Sequence, residues 1–157
     1  MGQEAPVRRQ VPVEVFQVNE LPITITDTTF IKTKDGYVLK STLSNNSEFH
    51  TTGLRYSLAV VDSMSVPNAV VARNEGLKLA EGQTKITTFR TPIKLKLKAD
   101  ERLVLMLEQV ISSDYVWEVI NANEAFKAYI AGDYSVVPRV LRVRNQVDAR
   151  PGARMIY

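Results

Sequence analysis

YVLKSTLSNNSEFHTTGLRYSLAVVD, residues 37–62, is the stretch on which the reading of the chain turns. Taken two residues at a time, its first part puts Leu39, Ser41 and Leu43 on one side, and its second part puts Leu54, Tyr56, Leu58 and Val60 on one side. A period of two is that of a strand with one covered face. Between the runs, Asn45, Asn46 and Ser47 can hydrogen-bond their own backbone, and Gly53 stands just before the second run. The stretch predicts two antiparallel strands joined by a connection of moderate length. A lone hairpin with one apolar face is marginally stable, so further strands must cover Leu54, Tyr56, Leu58 and Val60.

The flanking sequence supplies them. Val11, Val13 and Val15 alternate around Pro12, which confines this strand to an edge or places the proline at the strand's beginning. Ile23 and Ile25 alternate with threonines, giving one strand or two short ones before Lys34-Asp35-Gly36 turns the chain. After Asp62, residues 63–68 read as a turn and 69–72 as an apolar run that pairs back. Ala80-Glu81-Gly82 is the next turn, 84–90 is a strand carrying Ile86 and Phe89, and in 93–98 Ile93, Leu95 and Leu97 alternate with Lys94, Lys96 and Lys98. Residues 102–111 are apolar on both faces, with Leu103, Leu105 and Leu107 on one and Val104, Met106 and Val110 on the other. This predicts a central strand covered on both sides.

The period changes at Asn121. Ala122, Ala125, Phe126, Tyr129 and Ile130 recur at helical spacing, with Asn121 and Glu124 as an N-terminal capping pair and Gly132 as the stop. A helix over 121–131 is too short to stand alone, so its Phe126/Ile130 face must dock, and the Val104/Met106 face of 102–111 is the surface that needs cover. Residues 135–147 predict a last strand, with Val137, Leu141 and Val143 on one face and Arg142 and Arg144 on the other.

The fold class that follows is all-β: an immunoglobulin-like β-sandwich of seven to nine strands with one short C-terminal helix. A single domain over 11–148 lies between a flexible N-terminal arm, 1–10, and a flexible basic tail, 149–157. At 157 residues with 45% apolar content the chain holds a core without staples. No apolar run nears the roughly 20 residues of a membrane-crossing helix. Cysteine is absent, which removes disulfides, thiolate nucleophiles and cysteine-ligated metals together.

From 37 to 110 the order of features resembles the bacterial immunoglobulin-like modules called FxLYD domains. The resemblance rests on a strand ending in Leu43-Ser44-Asn45-Asn46, on Leu58-Ala59-Val60-Val61-Asp62 at the place of that family's hydrophobic-then-Asp signature, and on the Gly82 turn leading to a strand ending at Phe89. Val61 stands where the family has an aromatic residue. The resemblance implies an extracytoplasmic sandwich used for contacts, with no catalytic residues to carry over.

Little in the chain points to chemistry. His50 is the one histidine and reads as an exposed loop residue, and Asp62, Asp100 and Asp114 have no calcium-loop spacing. No phosphate loop, nucleophile elbow or paired-histidine zinc motif is present. No catalytic, cofactor-binding or metal residue is assigned, and no cofactor is expected. Asn45-Asn46-Ser47 has the form of a glycosylation acceptor but reads as a turn, and Lys94, Lys96 and Lys98 read as guards of an edge strand.

The net charge of +3 is carried by the C-terminal end, where Arg139, Arg142, Arg144, Arg150 and Arg154 stand against Asp133 and Asp148. These arginines, with Tyr157, are the candidate partner-binding residues, since arginine favours protein interfaces. The sequence therefore predicts a non-enzymatic, extracytoplasmic interaction or structural module whose partner is another protein, the opening near Gln3 resembling a chain whose leader has been removed; a cytoplasmic start at Met1 is the alternative. A second reading is a small accessory subunit of a larger membrane or particle assembly, docked through its terminal arms. A third is a nucleic-acid-binding protein using the arginines, although only Tyr134 and Tyr157 flank them.

Overall fold

The computed structural model describes residues 9–145. Nine strands and one helix follow in the order β1 (Gln10–Phe16), β2 (Ile23–Thr33), β3 (Gly36–Asn45), β4 (Thr51–Val61), β5 (Pro67–Leu79), β6 (Thr84–Ile93), β7 (Arg102–Ser112), β8 (Tyr115–Val119), α1 (Ala122–Ile130) and β9 (Val140–Arg144). The strands make one sheet with the path β5-β4-β7-β1-β2-β3-β6, nearly closed into a barrel, and β8 and β9 extend from β7. The chain is thus mostly β, with a single short helix. The predicted arm and tail fall largely outside the described residues, although β1 begins at Gln10 and the Arg9 carbonyl accepts the Lys32 N–H.

The expected hairpin between the two central strands does not form. β3 lies between β2 and β6, and β4 lies between β5 and β7, so the two runs of residues 37–62 belong to different parts of the sheet. The reason is Asn45. Its side-chain amide donates to the Phe49 carbonyl at 2.8 Å and to the Leu79 carbonyl at 3.0 Å, while its Oδ1 accepts from the N–H and hydroxyl of Ser47. The connection is therefore folded on itself and tied to the end of β5, which makes it an arch that crosses the core. Leu39 and Tyr56 meet across the interior by way of Phe89, which pairs in register with Leu39 and has its ring 6.0 Å from that of Tyr56.

β1 holds the sheet together. Gln10 to Pro12 pair antiparallel with β2, and Val13 to Phe16 pair parallel with β7. Pro12, which lacks an N–H, sits at the changeover, where each half of the strand has one ladder to serve. The expectation of an edge position was thus right for each half and wrong for the strand as a whole. β2 is one strand with an irregularity between Thr26 and Thr29, where Asp27 takes a positive φ of 47°.

β7 is central and covered on both faces, as the sequence predicts. Glu14 and Phe16 of β1 pair with Val104 and Met106, and Tyr129 of α1 stacks on Phe16 at 4.1 Å and donates to Glu14 Oε2 at 2.7 Å. The helix consequently covers the Val104/Met106 face, burying Ala125, Phe126 and Ile130. At its C-terminus Gly132 has a φ of 83° and the Asp133 N–H returns to the Ala128 carbonyl at 2.8 Å, closing the last turn. The N-terminal cap is a correction: Asn121 makes no side-chain cap bond. Its amide donates to the Val137 carbonyl and its Oδ1 accepts the Arg139 N–H at 2.7 Å, so the residue fastens the connection that leads to β9.

The lysine row is a second correction. β6 ends at Ile93, and Lys94 to Lys98 lie in no strand. Leu95 and Leu97 pack against the core as this segment crosses to β7, which preserves the alternation without a ladder.

Candidate partner-binding site

The ribbon β8–β9 carries Arg142 and Arg144, two of the three sequence-predicted arginines that fall within the described residues. Its register sets Tyr115 opposite Arg144, Trp117 opposite Arg142 and Val119 opposite Val140. These residues share one face. Arg142 lies 4.4 Å and Arg144 5.8 Å from the centroid of the Tyr115 ring, and Tyr115 joins Phe49 and Trp117 in an aromatic cluster whose centroids are 5.0 to 6.1 Å apart. Cations stacked on a ring keep their charge available while the apolar stems lie against the protein. β8 was not foreseen, and its alternation of Tyr115, Trp117 and Val119 was the signal that could have revealed it.

The opposite face carries Val116, Glu118, Leu141 and Val143. Here the structure keeps the expected division of Leu141 and Val143 from Arg142 and Arg144 but shortens the strand expected over 135–147. β9 spans five residues, and Leu141 and Val143 are 51% and 47% exposed, with Val137 and Ile120 also exposed. Among the described residues only β8 pairs with β9, and none of them buries Leu141 or Val143. Arg139 stands just before the strand, its N–H held by Asn121 and its carbonyl accepting the Ile120 N–H at 2.9 Å. Arg150, Arg154 and Tyr157 lie outside the described residues.

Beside the ribbon, a cleft of about 440 Å³ opens between β8 and the start of α1, lined by Arg55, Glu108, Glu118 and Glu124 among others. Arg55 pairs with Glu108 at 3.3 Å, and the Ser57 hydroxyl donates to the same carboxylate. The cleft therefore presents acidic groups, while the other face of the ribbon presents guanidinium groups. At another corner Lys94 and Lys96 come together with Lys32 and Lys34, a grouping that sequence reading missed because the two pairs lie some sixty positions apart.

His50 is exposed, and its carbonyl accepts the Ser113 N–H at 3.3 Å. Asn45, the acceptor position of the glycosylation pattern, is buried with its amide nitrogen engaged twice, so the turn reading stands. Among the described residues no three histidine, aspartate or glutamate side chains group as metal ligands, and no helix is long and apolar enough to cross a membrane. Comparison with family models, with curated proteins and with solved structures found no match.

Proposed function

We propose that this chain is a non-enzymatic interaction module of immunoglobulin-like design that binds a protein partner along the free edge of β9. The sandwich reading is supported by the division of β1, which gives two groups of strands, β1-β2-β3-β6 and β1-β7-β4-β5, on either side of one core. The single observation that carries the binding reading is the ribbon itself: an edge unpaired among the described residues, with Arg142 and Arg144 on one face and exposed Leu141 and Val143 on the other. An extended segment added to such an edge gains main-chain bonds, and its alternate side chains meet the two faces. The matching partner is a strand in which acidic and apolar residues alternate. Export from the cytoplasm, with the chain acting alone or as a subunit of a larger assembly, fits this role and the absence of cysteine equally.

The test is a photo-crosslinking residue at Val143 in protein recovered from its own cells under mild conditions. A stoichiometric companion captured there, and lost at least tenfold in the Arg142→Glu/Arg144→Glu variant, supports the reading; equal capture from a probe at Met64, an exposed residue in the turn before β5, sinks it.

One observation favours a second reading. Tyr115 supplies beneath the arginines the aromatic surface that the sequence lacked, and cations with a ring suit single-stranded nucleic acid. Fluorescence anisotropy with a labelled single-stranded oligonucleotide separates the two: nucleic-acid binding requires affinity that falls steeply with salt and is weakened by Tyr115→Ala.

A further inference from the structure

β5 is a second edge with unusual chemistry: it is thirteen residues long, pairs as a strand with β4 alone among the described residues, and turns two charged side chains inward. Ala69, Val71, Arg73, Glu75, Leu77 and Leu79 share the face directed toward the core. Arg73 Nε and Glu75 Oε1 are buried and have no hydrogen-bond partner among the described residues, and neither does the hydroxyl of Tyr56, which is 1% exposed and lies opposite Arg73 in register. Buried polar atoms of a native chain are nearly always satisfied, so the two on the edge strand itself, Arg73 Nε and Glu75 Oε1, call for a partner.

We propose that a second copy of this chain is that partner, joined through β5 in an antiparallel, two-fold symmetric pairing centred on Asn74. A two-fold axis perpendicular to the sheet keeps the core-directed faces of both copies on one side. With the axis at Asn74, Arg73 lies directly opposite Glu75 of the second copy, and Glu75 opposite Arg73 of the second copy. Val71 then meets Leu77, Ala69 meets Leu79, and Ala72 meets Gly76. An axis at residue 73 or 75 would set like charges face to face, and one at 72 or 76 would set each charge against an apolar side chain. The charges themselves select the register. Residues 69–79 overlap fully, giving about 35 Å of continuous ladder at about 3.3 Å per residue. The inference is independent of the reading of β9, which occupies the opposite end of this part of the sheet.

The alternative role of inward charges on an edge is to prevent pairing. The experiment decides between the two. The chain has no cysteine, and Asn74 is on the exposed face of β5, so Asn74→Cys introduces one thiol without disturbing the core. Facing residues of an antiparallel pair lie within disulfide reach, whereas the two copies of residue 70 would be eight positions apart in register. Under mild oxidation Asn74→Cys should form a covalent dimer in high yield and Val70→Cys should not. Light scattering on the full-length chain should give the mass of two copies at high concentration. Arg73→Glu and Glu75→Arg should each give one copy, and the double exchange Arg73→Glu/Glu75→Arg should restore two, circular dichroism confirming the fold of each variant. Equal crosslinking from positions 70 and 74, or a single-chain mass at every concentration, overturns the proposal and leaves the charges as guards of the edge.

Discussion

Two of the places where this molecule buries polar side chains do so in opposite ways. At the arch between β3 and β4, Asn45 has both ends of its amide occupied, by the Phe49 and Leu79 carbonyls on one side and by Ser47 on the other. At the edge β5, Tyr56, Arg73 and Glu75 bury atoms that have no hydrogen-bond partner among the described residues. A satisfied network in a low-dielectric interior fixes one arrangement of the chain, whereas an unsatisfied one costs stability until something arrives to complete it. The arch accordingly holds the fold, and the edge marks where a second molecule fits.

Breaking each region should expose the contrast. The largest effect belongs to Asn45→Ala, which takes the side-chain donor from the buried bond to the Leu79 carbonyl and removes the turn that makes the arch; a loss of about 3 kcal/mol in chemical denaturation is expected. A loss below about 1 kcal/mol would mean that the arch is held by Phe49 packing instead. Gly36→Ala comes next. Gly36 has a φ of 142°, and a Cβ there would lie 2.7 Å from the Ile93 carbonyl oxygen, so the β2–β3 turn and the end of β6 must separate, at a cost of about 2 kcal/mol. Thermal melting of the variant checks this.

At the edge the sign changes. Tyr56→Phe removes a buried hydroxyl that has no partner and keeps the ring against Phe89, so stability should stay within about 0.5 kcal/mol of the parent or rise. A drop comparable to that of Asn45→Ala would show that the hydroxyl is bonded after all. The smallest effect is that of Glu75. Burial holds its carboxyl above the ordinary value, with Arg73 opposing. A raised carboxyl pKa contributes stability that is present below the unfolded-state value and is lost as pH rises through the folded-state value. In protein diluted until β5 is unpaired, the stability difference between Glu75→Gln and the parent should therefore grow from the acid range toward neutrality, in favour of the variant. Glu101 works in the other direction, since bonds from the Lys98 N–H and the Asn68 amide hold its carboxyl below the usual range, which is why the difference between variant and parent is the informative curve.

Periodicity revealed the elements whose faces are covered by the core. β1, β4, β7 and α1 were legible because Val11 and Val13, Tyr56 and Leu58, Leu103 to Leu107, and Phe126 and Ile130 each repeat at the period of their own element. It could not reveal which strands are neighbours. Residues 37–62 alternate in the same way whether they fold as a hairpin or as an arch, and the choice lies in where the Asn45 amide finds its carbonyls, one of which is 34 positions away. The same limit applied to the site. Arg142 and Arg144 were visible as charges, while Tyr115 beneath them and the exposure of Leu141 and Val143 depend on a ribbon whose first strand is only five residues long. Asn121 misled because a side chain suited to cap a helix is equally suited to clamp the loop that follows it.

The changeover in β1 has a kinetic consequence. Its second half pairs with residues 103 to 106, some ninety positions along the chain. Contacts of that separation require a large loop to close before they are rewarded, and they slow folding. During synthesis, β2 and β3 can pair early, but Val13 to Phe16 have no ladder until β7 has left the ribosome. Until then the nascent chain carries an open strand at residues 13–16, and the closing of the β1–β7 ladder is expected to be the step that limits the rate at which the molecule reaches its final form.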